Sequence, residues 1–238
     1  MKKIATLDEI TIDESNIDSF FRDYFDVRKP VIIKNGAEKW PLMWRWNKEY
    51  IVKKAGKYPC IIVNDSRPAA SRKTDTIKNY FAIHKGKSTL TLQRYNKQML
   101  LPILKDVPIP SLFFSDENIK RYFFYHAPVE AGTLPHTHRD AFNILRSGTK
   151  KWIFHDALEA TSPEGKKMVD KYYQTYPKGT TAKNWFEEEL PQLQDHLEET
   201  QVYQCIQEAG DIVYIPYEYM HTVLNLSEVM GVVFERAR

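Results

Sequence analysis

Two short segments hold residues whose types and spacing could do chemistry. The first runs Gly132-Thr133-Leu-Pro-His136-Thr-His138-Arg-Asp140-Ala-Phe-Asn143. Side chains two apart on a strand share a face, so His136, His138 and Asp140 would look the same way if one strand runs that far. Two imidazoles and a carboxylate on one face suit a divalent transition metal. The second segment runs Gly210-Asp-Ile-Val-Tyr-Ile-Pro216-Tyr-Glu218-Tyr-Met-His221-Thr-Val-Leu-Asn225. Gly210 opens a strand there, Pro216 ends it, and His221 starts the next. A lone histidine is ordinarily a surface or satisfied core group. Two punctuated segments that each carry one are harder to set aside.

These segments need a scaffold that holds them face to face. From about residue 120 the sequence breaks into short apolar-rich runs: 121–127, 132–138, 141–147, 151–155, 202–206, 211–216, 221–226 and 229–235. Gly132, Gly148 and Gly210 separate some of them. Eight short strands predict a closed or double-sheet β architecture rather than a parallel sheet. The stretch 156–200 interrupts them with helix-like, acidic sequence and is expected to build a binding surface. Upstream, residues 13–28 place Ile17, Phe20, Phe21, Tyr24 and Phe25 at helical spacing behind Asp13 and Ser15 as caps. Val31–Ile33 and Cys60–Val63 read as strands, 40–56 as a tryptophan-rich turn and a helix ending at Gly56, and 64–75 as a polar loop.

The chain has 238 residues, of which 42% are hydrophobic and 27% charged, enough for a packed core and too apolar for general disorder. Its net charge of +3 is small and evenly spread, which argues against a nucleic-acid face. No apolar run is long enough for a signal peptide or a membrane span. The two cysteines, Cys60 and Cys205, form no zinc or disulfide framework, although one bridge between them is open to the sequence. The reading is a soluble, cytoplasmic protein of one domain over 1–238. It has an N-terminal α/β portion over 1–115 and a jelly-roll core over 116–238. A monomer is expected.

The second segment resembles the second cupin motif, G-x5-P-x-G-x2-H-x3-N, at Gly210, Pro216, His221 and Asn225, with Glu218 in place of its glycine. The first segment, followed by Gly148-Thr-Lys150-Lys-Trp152, resembles the Jumonji-C cupin-type hydroxylases, which carry G-T-x-x-H-x-D and then G-x-K-x-W. Pro30-Val-Ile-Ile-Lys-Asn-Gly36, Trp40-Pro41 and Trp46 are similar to that family's entry strand and tryptophan turn.

The resemblance implies a mostly β fold with helices, a double-stranded β-helix with N-terminal elements packed on the barrel. It implies Fe(II) held by a facial triad, with two positions open for 2-oxoglutarate and one for O2, and hydroxylation of a C–H bond in a protein, peptide or small molecule. No catalytic residue beyond the metal centre is implied. Two ligand sets fit: aligning Gly132-Thr133 selects His136, His138 and His221, whereas the intact H-x-D selects His138, Asp140 and His221. Lys150 lies where the family pairs an ammonium with the distal carboxylate of 2-oxoglutarate, and one of Lys150 and Lys151 points inward on any strand. Thr133, Asn143, Asn225 and Tyr125 are expected beside it. A three-His dioxygenase that uses no 2-oxoacid, and a cupin-like scaffold without catalysis, are the alternatives. His84, His126, His155 and His196 read as structural or surface groups. Trp40, Trp44 and Trp46 read as packing, and the 187–189 acidic run as a solvated helix face.

Overall fold

A computed structural model describes residues 4–13, 15–63, 73–86, 89–93, 97–108, 119–156, 180–194 and 202–236. Fourteen strands lie among them. Six precede the barrel: β1 (Ala5–Thr6), β2 (Glu9–Ile10), β3 (Val31–Ile33), β4 (Pro59–Val63), β5 (Lys73–Thr76) and β6 (Thr89–Gln93). Eight follow: β7 (Ile119–Ala127), β8 (Gly132–His136), β9 (Ala141–Ser147), β10 (Thr149–Asp156), β11 (Val202–Glu208), β12 (Ile212–Ile215), β13 (Tyr219–Asn225) and β14 (Val229–Arg236).

The last eight strands divide equally between two facing sheets. One runs β1-β11-β10-β13-β8, and the other β2-β3-β12-β9-β14-β7-β6-β4-β5. Successive barrel strands cross between the sheets at every connection except β10–β11, the β8–β9 and β12–β13 crossings among them, as a jelly roll requires. The fold is the mostly β, cupin-like double-stranded β-helix with helices that the motifs imply. The N-terminal strands pair onto its edges: β1 runs parallel to β11, and β3 antiparallel to β12. β6 pairs with β7.

The nine-stranded sheet is covered on both faces, and its sequence shows why. On β7, Tyr122 and Phe124 point outward, while Arg121, Phe123, Tyr125 and Ala127 line the barrel cavity. On β14, Val232 and Phe234 point outward, while Val229, Val233 and Glu235 line the cavity. The outward set packs with Phe142, Ile144 and Tyr214 against Phe20, Leu42, Trp46 and Ile51. The helix Ile17–Phe20 widens into a π-helical turn over Phe21–Phe25 and supplies Phe20, whose ring meets Tyr214 edge-on at 5.4 Å. The helix Lys48–Ala55 starts at Asn47, whose side chain accepts from the Tyr50 amide.

Asp106 is fully buried and accepts from Arg45 at 2.7 Å, from Trp46 Nε1 at 3.3 Å and from the Tyr50 hydroxyl. Gly148 (φ +87°) makes the tight β9–β10 turn, where a Cβ would lie 2.3 Å from the Glu228 carbonyl oxygen.

Several expectations are corrected. β8 ends at His136, two residues short of the run drawn from sequence, because the chain must leave one sheet there to enter the other at Ala141. The 64–75 stretch ends in β5, and the remainder of it lies outside the described residues. Most of the 156–200 interruption also lies outside them. Its described part holds Trp185 and Phe186 packed on Ile153 and Val202. Trp46 is buried as packing demands, but Trp44 is 61% exposed. Cys60 and Cys205 are both buried and free, so the bridge open to the sequence does not form. Among the described residues, no helix is long and apolar enough to cross a membrane.

Candidate metal centre and cavity

His136 and His221 are cross-strand partners at the β8–β13 junction, and His138 reaches them from the β8–β9 crossing. One ring nitrogen from each of the three lies within 4.8 Å of the others. The ring centroids stand 4.2 Å apart for His136–His221, 4.5 Å for His138–His221 and 5.4 Å for His136–His138.

Backbone carbonyls settle the tautomers. The Nδ1 of His136 lies 2.8 Å from the Leu134 oxygen, that of His138 2.6 Å from Arg139, and that of His221 2.9 Å from Tyr219. A carbonyl oxygen only accepts, so each Nδ1 carries the proton and each Nε2 keeps its lone pair. Burial also disfavours the charged forms. It lowers His136 to about 4, helped by His138, and holds His221 well below its ordinary value and His138 below it too. Three neutral, oriented imidazoles are the donor set that binds a divalent transition metal, so the residues present fit an iron-type centre.

Asp140 does not join this cluster. Its carboxylate Oδ1 accepts from the Tyr214 hydroxyl at 2.7 Å and from the Tyr217 amide at 3.0 Å. The Glu218 amide donates to the His138 carbonyl at 3.0 Å. Asp140 and Glu218 thus tie the β8–β9 crossing, which carries His138, to the β12–β13 crossing, which leads to His221. Glu218, at the motif's glycine position, takes φ +56°, the left-handed backbone that the glycine would otherwise supply.

The three histidines line a cavity of about 360 Å³, a size typical of small-molecule sites. Trp152 and Phe154 wall His221, with ring centroids 6.0 and 6.2 Å away. The Lys150 ammonium is buried, 3.8 Å from the centre of the Tyr125 ring and 5.7 Å from that of Trp152. Burial pushes its pKa down from 10.5 to about 7. The Tyr125 hydroxyl donates to Asn143 Oδ1 at 2.8 Å, and burial raises its own pKa. Asn225 lines the same space, its Nδ2 donating to the Pro128 carbonyl at 3.2 Å. Thr133 lines it too, its carbonyl accepting from Thr222.

Every cavity residue singled out from sequence therefore meets in one place except Asp140. Sequence reading missed Arg121, Phe123 and Glu235, which line the same cavity. The signal was present: with Tyr125 facing inward, period-two alternation puts Phe123 and Arg121 on the same face. It also missed Gln207, buried beneath the floor. Gln207 accepts from Trp152 Nε1 at 3.0 Å and donates to the Asn143 carbonyl at 2.8 Å. His126, on the outward face of β7, bonds the Tyr80 hydroxyl at 2.8 Å, away from the cavity.

No family model matches the chain. Curated relatives do match, over nearly all of it. Lysine-specific demethylase JMJ21 of Arabidopsis thaliana is 23% identical over 96% of this chain and 26% of its own length. Arginine-specific demethylase JMJ22 of the same plant is 22% identical over 91% of this chain and 43% of its own. Bifunctional arginine demethylase and lysyl-hydroxylase psr-1 of Caenorhabditis elegans is 23% identical over 90% of this chain and 57% of its own. The chain thus spans from about a quarter to under three fifths of the length of these relatives. The agreement supports the Jumonji-C kinship implied by the motifs.

Proposed function

We propose that this protein is an Fe(II)- and 2-oxoglutarate-dependent oxygenase that hydroxylates a C–H bond in a side chain of a protein or peptide. The carrying observation is the pairing of three convergent imidazoles with a buried lysine in one cavity. The relatives support the reading, since their names describe demethylation and hydroxylation of lysine and arginine. Iron bound by His136, His138 and His221, together with 2-oxoglutarate and O2, would supply the oxidising chemistry that breaks the C–H bond.

The chain's own residues do the rest. Carbonyl bonds to the three Nδ1 atoms hold the imidazoles in their ligating tautomer. Lys150 receives the distal carboxylate of the co-substrate, and that charge restores the ammonium which burial disfavours. Tyr125, fixed by Asn143, sits under the amine. Thr133 and Asn225 complete the polar end. Trp152, Val223 and Val229 keep the cavity walls apolar and limit water.

Among the described residues no carboxylate joins the three imidazoles, which favours a second reading, a three-His dioxygenase that uses no 2-oxoacid. Anaerobic titration separates the two. The Fe(II)-loaded protein is mixed with 2-oxoglutarate and followed for the visible charge-transfer band of a chelated 2-oxoacid. A saturable band, weakened in Lys150→Ala, supports the oxygenase. Tight iron binding without a band overturns it in favour of the second reading.

A further inference from the structure

Lys150 is a buried amine that lines a cavity. It stands opposite Asn225 on β13 and Gln207 on β11, and opposed residues of an antiparallel pair share a face. Its Nζ lies 3.8 Å from the centre of the Tyr125 ring and 5.7 Å from that of Trp152. Among the described residues no carboxylate pairs with it. Glu235, a carboxylate that lines the same cavity, is four residues along β14 from Gly231, the strand partner of Tyr125. Four residues are roughly 13 Å of strand. Neighbouring Lys151 points the other way, its Nζ 5.6 Å from the centre of the Phe186 ring.

The polar groups around the amine can donate hydrogen bonds. Asn225 uses one amide N–H on the Pro128 carbonyl and keeps a second. Thr133 brings a hydroxyl to the cavity wall. A buried amine with donors and no anion beside it suits a small electrophile that becomes an anion on capture.

We propose that Lys150 is a carbamylation site: its amine captures dissolved carbon dioxide, and the resulting carbamate closes the polar end of the cavity to 2-oxoglutarate. The Nζ lone pair forms a bond to the carbon of carbon dioxide, one C–O π pair moves onto oxygen, and the nitrogen releases a proton to water. No oxidant or further reactant is needed. The free amine is the reacting form, and burial lowers the pKa of Lys150 to about 7. At pH 7.5 about three-quarters of it is free base, against roughly one part in a thousand for an ordinary lysine. The carbamate puts a negative charge where an ammonium would receive the distal carboxylate of the co-substrate, so the two exclude each other. The modification stands on the cavity itself; its effect on 2-oxoglutarate rests on the hydroxylase reading above.

The test uses the full chain without iron or 2-oxoglutarate. It is equilibrated with carbon-13 bicarbonate at pH 7.5 and treated with triethyloxonium, which fixes a carbamate as its ethyl ester. Peptide mass spectrometry then locates the label. Lys150 should carry at least tenfold more than Lys151, and the chain's α-amino group, which is also partly free base at this pH, is the positive control. At pH 6 and the same dissolved carbon dioxide, labelling of Lys150 should fall several-fold. A Lys150 that is unlabelled, or no richer in label than Lys151, overturns the proposal. The comparison is made within the wild-type chain, so it does not depend on a variant that folds.

Dissolved carbon dioxide should also raise several-fold the 2-oxoglutarate concentration that half-develops the charge-transfer band at pH 7.5, with iron affinity unchanged. A band indifferent to carbon dioxide in a protein labelled at Lys150 overturns the closure. A protein that forms the band but takes no label sinks this inference alone. One that is labelled but forms no band upholds the carbamylation and sinks only the 2-oxoglutarate reading.

Discussion

Replacing Lys150 with methionine should stabilise the fold while removing co-substrate binding. The amine is buried, and burial lowers its pKa from 10.5 to about 7. Between those two values the unfolded chain holds a proton that the folded chain has released, so stability rises with pH across that window. Below pH 7 the cost of burying the ammonium is fully present. Above 10.5 both states are neutral and it is gone.

The displacement corresponds to roughly 5 kcal/mol at low pH, about 4 kcal/mol at pH 7, and about 1 kcal/mol at pH 10. Methionine fills a similar volume without the charge. Urea unfolding of metal-free wild type and Lys150→Met at pH 7, 8.5 and 10, in buffers free of dicarboxylates, reads the difference directly. The variant should be more stable at pH 7, and the gap should shrink by about 3 kcal/mol by pH 10. Adding 2-oxoglutarate to the metal-loaded proteins should stabilise wild type and leave the variant unmoved. A gap that does not change with pH, or a less stable variant at pH 7, would refute the claim that an uncompensated ammonium is buried here.

Four further outcomes follow from the same geometry. His136→Ala or His221→Ala should cut zinc affinity at least tenfold by calorimetric titration. Asp140→Ala should keep the metal but lose about 1–3 kcal/mol of stability, because the Tyr214 hydroxyl and the Tyr217 amide lose their acceptor. A folded Asp140→Ala protein that no longer binds zinc would contradict the three-His cluster. Gly231→Ala puts a Cβ 2.3 Å from the Tyr125 hydroxyl oxygen and 2.3 Å from the Ile144 carbonyl oxygen. It should cost about 1–3 kcal/mol and weaken the 2-oxoglutarate band, read by melting and by titration. Asp106→Ala strands the partners of a fully buried carboxylate and should cost about 3–5 kcal/mol in urea unfolding, with metal affinity unchanged.

The barrel is largely legible in the sequence. Its strands are short, and their edges are marked by Gly132, Gly148, Gly210 and Pro216, residues whose backbone limits act locally. Helical spacing over Ile17–Phe25 likewise reports a local period, although it could not show that the helix widens at Phe21. Trp44 and Trp46 look alike in sequence because a two-residue separation does not say which ring meets the core. The structure buries Trp46 against Phe124 and leaves Trp44 in solvent.

Sequence alone determined the eight barrel strands and the two histidine segments, because each depends on alternation and punctuation along a few residues, and alternation required that one of Lys150 and Lys151 face inward. Only the tertiary structure decided which groups converge. His136-Thr-His138 and His138-Arg-Asp140 are equally good ligand pairs on a straight strand. The chain is not straight there: it leaves β8 at His136, crosses to the other sheet and enters β9 at Ala141. That crossing swings His138 towards His221 and turns Asp140 to Tyr214 and the Tyr217 amide. Closure of the barrel also aligns β7 with β14, setting Arg121 against Glu235 across 114 positions of sequence. Such a pairing carries no local signature, because it is made by strand register in the closed barrel.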